Sequence, residues 1–211
     1  MKKFKIIPFI IAAIICSGGC NCCEKNDYIF EVEKLGLRLD DSKNMLMRPK
    51  KPFPSDLIIP DGVTSVNKEV FRAFPKLESV VMPASIERIG DYVFCGSRKL
   101  KKVVMSPSLK HTGNFTFMDC HLLEEVVLPP RLEKIGYSAF ENCRNLKNIT
   151  IPETVTVIDD YAFANCTALE SIVIPAGVKY IAYRAFKGCT KLKNIKIMNK
   201  DIVFGLEVFD K

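Results

Sequence analysis

Asn148-Ile-Thr-Ile-Pro-Glu-Thr-Val-Thr-Val-Ile-Asp-Asp-Tyr-Ala-Phe-Ala-Asn-Cys-Thr-Ala-Leu-Glu170 is a phrase of 23 residues, and the chain repeats it without a gap. Its Phe163 returns as Phe71, Phe94, Phe117, Phe140, Phe186 and Phe209, each 23 residues from the next. Its Leu169 returns as Leu77, Leu100, Leu123, Leu146 and Leu192. A fixed period of this length marks a solenoid: one unit cannot bury its own apolar face, so units stack and share a core.

Working outward, the array divides as 56–78, 79–101, 102–124, 125–147, 148–170 and 171–193, with a partial unit at 194–211. Each unit opens with a strand-like triplet such as Val80-Val-Met, Val126-Val-Leu or Ile172-Val-Ile. First and third residues of a strand share a face, and those two columns are apolar throughout, so they are expected to point into the stack. Pro60, Pro83, Pro129, Pro152 and Pro175 then end the strand by withholding an N–H. The third unit slips, with Ser106 in that place and Pro107 one later. A second apolar pair follows, Val63/Val66 through Val178/Ile181, which becomes Leu109/Thr112 in the third unit. The next column, Asn67, Gly90, Gly113, Gly136, Asp159, Ala182 and Gly205, predicts a turn with positive φ, because all but Ala182 tolerate left-handed backbone. The Phe column is expected to fill the axis of the coil.

The pattern Ile-x-Ile-Pro-x-x-Val-x-x-Ile-Gly-x-x-Ala-Phe-x-x-Cys-x-x-Leu resembles the BspA-like leucine-rich repeats, over residues 56–211. The resemblance implies a leucine-rich-repeat solenoid, a β-rich curved stack with a parallel sheet on its concave side. Members of that family look like bacterial and protozoan surface proteins, several implicated in attachment to host or matrix proteins. A shared fold is not a shared function.

Residues 1–19 read as a signal peptide of the lipoprotein type. Met1-Lys-Lys-Phe-Lys is basic, residues 6–16 are apolar, and Ser17-Gly-Gly leads into Cys20. The apolar run falls short of the roughly 20 residues a spanning helix needs, so secretion is the stronger reading. The small residues before Cys20 resemble a bacterial lipobox, with Ser17 where Leu is usual, and make Cys20 the lipidation site. Acyl burial then holds the chain on a membrane. Ordinary cleavage nearby, leaving Cys20, Cys22 and Cys23 as thiols or disulfides, is the alternative. Residues 20–55 form a tether, a candidate N-terminal cap and the connector Arg48-Pro-Lys-Lys-Pro-Phe-Pro; Tyr28-Ile-Phe-Glu-Val-Glu-Lys-Leu-Gly-Leu-Arg-Leu alternates as a strand or hairpin does.

The formal charge of +7 falls to +4 without Lys2, Lys3 and Lys5, and the remaining charges are mixed in sign, which leaves no nucleic-acid footprint. Glu78, Lys101, Glu124, Lys147, Glu170 and Lys193 form a column of alternating sign, expected to set each charge between opposite neighbours. Four cysteines also share a column: Cys120, Cys143, Cys166 and Cys189. A column at constant distance from Phe is first a packing position, and free Cys behaves as a small buried hydrophobe. Stacked strands lie about 4.8 Å apart, within reach of a disulfide, but parallel side chains give it poor geometry. The only histidines, His111 and His121, are read as surface residues; neither frames a metal-ligand spacing or a nucleophile elbow. No catalytic, cofactor or metal site emerges. A Cys hydrolase built on Cys120 and His121 is the third reading of function.

Two outward features remain. The middle of each triplet, Ile58, Val81, Val104, Val127, Thr150, Val173 and Lys196, is expected to face solvent as a ribbon. Tyr92, Phe115, Tyr137, Tyr161 and Tyr183 form a rim between turn and Phe, with Tyr180 nearby. The ribbon offers only roughly 300 Å², against about 800 Å² per partner for a standard interface. Partner contact is therefore expected to combine rim and ribbon, at Val81, Val104, Val127, Thr150 and Val173 with the five rings. The function expected is a non-enzymatic surface protein of the cell envelope, an outer-membrane lipoprotein or cell-surface protein. It would bind a protein ligand of host matrix or another cell, without cofactor or nucleic acid. A passive envelope spacer is the alternative.

Overall fold

The computed structural model describes residues 32–49 and 54–209. The leader, the lipidation site Cys20, most of the tether and part of the Pro-rich connector lie outside the described residues. The chain is a β-solenoid of about seven turns with parallel sheets and almost no helix.

At the amino end, strand β1 (Arg38–Leu39) pairs antiparallel with β2 (Met45–Met47), and β2 then pairs parallel with β4 (Ser65–Val66). This hairpin covers the edge that the first full coil would otherwise present to water, where unpaired N–H and C=O groups invite another strand. Asp40 holds its turn: one carboxylate oxygen accepts the Ser42 hydroxyl at 2.6 Å and the other the Met45 N–H at 3.1 Å. Of the alternating stretch 28–39, the described residues 32–39 are only partly strand. Residues 32–34 form a helical turn whose Val32 is buried.

The triplets build one side of the solenoid, a four-stranded sheet of β3 (Asp56–Ile58), β5 (Ser79–Val81), β7 (Lys102–Val104) and β8 (Glu125–Val127) and then a two-stranded sheet of β11 (Ser171–Ile174) and β13 (Asn194–Ile197). Leu57 faces Val80, Val80 faces Val103 and Val103 faces Val126, so each residue lies beside the one 23 positions later. Residues 148–151, the triplet of the clearest repeat, join neither sheet. Ile149 and Ile151 are nevertheless buried there, so packing rather than ladder hydrogen bonds holds that triplet in place, while the coil keeps its register through Val157 and Ile158.

A second sheet runs along the other apolar pair. Beside β4 lies β6 (Arg88–Ile89), and further on come β9 (Lys134–Ile135), β10 (Val157–Ile158), β12 (Tyr180–Ile181) and β14 (Val203–Phe204). The third unit interrupts it, because Thr112 replaces the aliphatic residue. Its buried hydroxyl accepts the Gly136 N–H at 2.9 Å, a bond that backbone carbonyls take elsewhere.

Between the sheets stack the rings of Phe71, Phe94, Phe117, Phe140, Phe163, Phe186 and Phe209. Their centroids lie 5.1–5.4 Å apart and their planes within 16° of parallel. Parallel rings at that separation are offset rather than eclipsed, the favoured geometry.

The left-handed positions differ from the expectation. In the Asn67/Gly90 column only Gly113 has positive φ; the left-handed residue comes two places later, at Glu69, Tyr92, Phe115, Ser138, Tyr161, Arg184 and Glu207. Glycine is favoured in the earlier column by close approach: a Cβ on Gly136 would lie 2.4 Å from the Gly113 carbonyl oxygen, and one on Gly90 2.5 Å from the Lys68 nitrogen. A second left-handed column, Ala73, Gly96, Asp119, Asn142, Asn165 and Gly188, closes each coil.

The charge column is also not the alternating ladder its sequence suggests. Among the described residues only Lys101 and Glu78 pair within it, at 2.8 Å. The column is tied by its backbone instead, as in Glu124 N–H to the Lys101 carbonyl at 2.9 Å.

Candidate functional site

Outward side chains of the triplet sheet do not form a continuous ribbon. Ile58 is 56% exposed, Val127 and Val173 each 52%, and Thr150 is exposed, but Val81 is half-buried and Val104 only 8% exposed. Val104 thus departs from its expected place on the surface. It sits mid-sheet between Val81 and Val127, and Lys102, on the same face two residues earlier, reaches along the sheet to Glu125 at 3.2 Å. Val127, Thr150 and Val173 remain together as the larger exposed piece.

The five rim rings come together as a ladder. Tyr92 stacks on Phe115 at 4.4 Å, Phe115 meets Tyr137 at 4.9 Å, Tyr137 meets Tyr161 at 5.8 Å and Tyr161 meets Tyr183 at 5.4 Å. Arg72 lies over Tyr92 and Arg184 over Tyr183, at 5.5 and 4.6 Å from the ring centres. The two ends of the ladder are therefore closed by cation–π contacts. All five rings are half-buried, with their faces occupied largely by one another. Burial pushes the Tyr137 and Tyr183 phenols up from their ordinary values. Tyr180 stands apart, exposed on β12.

Asp160 belongs to the scaffold. Its carboxylate accepts the Tyr183 N–H at 2.9 Å. Asp91 does the same for Asn114 at 2.8 Å, and the Asn114 side chain for Tyr137 at 3.1 Å. Each carboxylate or amide satisfies the N–H in its own column one coil on, a group that would otherwise go unpaired. The signal was present as an Asx residue in that column, masked by the tyrosines alternating with it.

The cysteine column is buried and its thiols are free. Each S–H donates to the carbonyl of the previous coil's Phe: Cys120 to Phe94 at 3.1 Å, Cys143 to Phe117 and Cys166 to Phe140 at 3.2 Å, Cys189 to Phe163 at 3.1 Å. Ser97, one coil earlier in the same column, donates to Phe71 at 2.6 Å. Burial raises the Cys120, Cys143 and Cys166 thiols well above their ordinary range, which disfavours the nucleophilic thiolate. His121 turns to Asp119, Nε2 to Oδ1 at 3.7 Å, while the Cys120 S–H is held by Phe94. The structure does not assemble the Cys120–His121 pair. Exposed His111 makes a backbone bridge to Lys134.

With this geometry in hand, comparison with known proteins defines the class. Residues 53–169 and 158–211 match the BspA type leucine rich repeat region, in six copies. The chain belongs to this leucine-rich-repeat family. It is similar to the solved leucine-rich-repeat protein of T. pallidum, with 28% identity over 83% of this chain and 85% of that one, at a TM-score of 0.75. It is also similar to a leucine-rich-repeat protein from Bacteroides ovatus, with 26% identity over 82% of this chain and 54% of that one, TM-score 0.66. A leucine rich cell surface protein from Faecalibacterium prausnitzii shares 30% identity over 78% of this chain and 38% of that one, TM-score 0.52. The chain thus spans about half the length of the second and under two-fifths of the third. No curated protein matches the sequence. Leucine-rich-repeat domains generally mediate protein–protein binding and typically act as non-enzymatic scaffolds.

Proposed function

We propose that this protein is an adhesive component of the cell envelope, exported by its N-terminal leader, anchored through lipidated Cys20, and binding a protein of host matrix or of another cell. The observation that carries the reading is the division of labour within the repeat. Inward columns are consumed by packing, which leaves Val127, Thr150, Val173 and the edges of the Tyr and Phe rings as the surface on offer. The F. prausnitzii relative, described as a cell surface protein, supports the location. The competing role of passive spacer draws on the same ladder, because rings stacked on one another need no ligand to be satisfied.

The test is capture from host matrix and cell-surface extracts by the full-length chain, beside Val127→Lys, Val173→Lys and Tyr161→Ala variants. Loss of a defined partner in the variants is the expected result; capture indifferent to all three returns the protein to the spacer role. Mass spectrometry of the mature amino terminus is expected to find an acylated Cys20, and an unmodified terminus elsewhere removes the anchor.

A further inference from the structure

One row of cations is not used by the scaffold. In each coil the chain turns at the left-handed position occupied by Gly96, Asp119, Asn142 and their equivalents. The next residues but one form a column on the outer rim. The turn is the same from coil to coil: the His121 N–H donates to the Asp119 carbonyl at 3.0 Å and the Arg144 N–H to the Asn142 carbonyl at 2.9 Å. Arg98, His121 and Arg144 therefore stand in one file, with Lys76 and Lys99 in the file beside it, and neither file contains a carboxylate. Lys76, Arg98, Lys99 and Arg144 are exposed, and among the described residues they enter no ion pair. In the neighbouring columns Lys101 and Lys102 are paired, at 2.8 and 3.2 Å.

Between the first three coils the rim opens into a groove of about 430 Å³ lined by Ala73, Pro75, Gly96, Arg98, Lys99 and Asp119. Its floor is made of small residues, so a ligand can approach the backbone. Its one acid, Asp119, is already occupied: Oδ1 accepts the Asn142 amide at 2.8 Å and lies 3.7 Å from His121.

We propose that this rim binds a linear sulfated polysaccharide laid along the solenoid axis. Coils advance by roughly 4.8 Å, so Lys76 to Arg144 spans three steps, roughly 15 Å. A regularly charged polyanion on that line meets a cation at three of the four coils, at Lys76, at Arg98 with Lys99, and at Arg144, and release of its counterions drives binding without any apolar anchor. The guanidinium forks of Arg98 and Arg144 match the geometry of an oxyanion. A protein partner fits less well, because protein interfaces concentrate their energy in buried apolar anchors and Leu122 is the exposed large apolar residue here. Single-stranded nucleic acid fits less well too: it is held by stacking on free aromatic faces, and the five rim rings pack against one another. The inference rests on the attachment reading above, since such polysaccharides are met on matrix and cell surfaces.

The test is binding of the full-length chain to a heparin fragment of defined length across a salt series. A single-stranded oligonucleotide and a polyglutamate chain of equal charge serve as comparators. The expected result is affinity for the fragment that falls linearly with salt on logarithmic axes. It should weaken about tenfold in the Arg98→Ala, Arg144→Ala double variant. It should stay unchanged in Lys179→Ala, an exposed cation between Val178 and Ile181 of the second apolar pair. Unchanged melting temperatures show that the variants fold. Wild-type affinity in the double variant, an equal loss in Lys179→Ala, or equally tight binding of either comparator overturns the site. Failure to bind the fragment while capture of a matrix protein persists removes the rim alone. Rim-dependent binding by a chain that fractionates with the cytoplasm removes the attachment reading and leaves the rim.

Discussion

Two files of rings run the length of the array, and they obey different rules. Inside, Phe71 to Phe209 repeat one geometry, with interplanar angles from 3° to 16°. Outside, Tyr92 to Tyr183 keep a similar spacing, but their angles run from 5° to 88°. The outer rings are drawn from two adjacent columns, with Tyr92, Phe115 and Tyr161 in one and Tyr137 and Tyr183 in the other. Coil spacing sets the distance in both files; enclosure sets the angle only in the inner one. A ring walled in by neighbouring columns has one place to go, whereas a ring half in water settles against whatever its neighbour presents. Ring identity on the outside is thereby free to vary without disturbing the inner stack.

The sharpest way to break the contrast is to truncate one ring from each file. Phe140→Ala leaves a closed cavity and is expected to destabilise by about 3–5 kcal/mol in denaturant unfolding. Tyr161→Ala is expected to lose only about 1–2 kcal/mol, the scale of its two aromatic pairs with Tyr137 and Tyr183. Equal losses contradict the distinction. Next in size is Gly136→Ala. The added methyl meets the Gly113 carbonyl oxygen at 2.4 Å, and the coils must move apart at a cost of about 1–3 kcal/mol. Smaller again is Cys143, where two substitutions separate two accounts. If the thiol matters as a donor to Phe117, Cys143→Ser holds stability better than Cys143→Ala, by about 1 kcal/mol. If it matters as apolar bulk alone, the order reverses.

The smallest effect lies at the far end of the outer file. Lys187 first, and Arg184 at 3.0 Å, lower the Glu207 carboxyl from 4.5 to about 2. A carboxyl depressed on folding stabilises above its unfolded value, and that contribution is lost as the acid form takes over in the native state. Thermal melts of the wild type are therefore expected to lose an increment between about pH 4.5 and pH 2 that Glu207→Gln lacks. Glu207 is exposed, so salt is expected to shrink the difference.

The inner file and the triplet columns were legible because each position needs one kind of side chain and shows it every 23 residues. The second sheet was not, since strands of two residues such as Val157–Ile158 carry no alternation to detect. The left-handed column escaped for a related reason. Tyr92, Phe115 and Arg184 are not residues that favour positive φ, and each bears a strain of about 1–2 kcal/mol that the surrounding coil must hold. Glycine two places earlier signals tight spacing between coils rather than a left-handed turn. The burial of Val104 depends on what stands in the adjacent coils, and the cation rim emerges only when residues 23 apart are seen side by side.

The central claim is that the columns repeated most faithfully are interior scaffold, the cysteine column included. Thiol labelling of the folded full-length chain across a denaturant series, read site by site by peptide mass spectrometry, tests it directly. Cys120, Cys143, Cys166 and Cys189 are expected to react only through unfolding of the array, at rates that follow its stability. Rapid labelling of any of Cys120, Cys143 or Cys166 in native buffer would show an accessible thiolate and contradict the account.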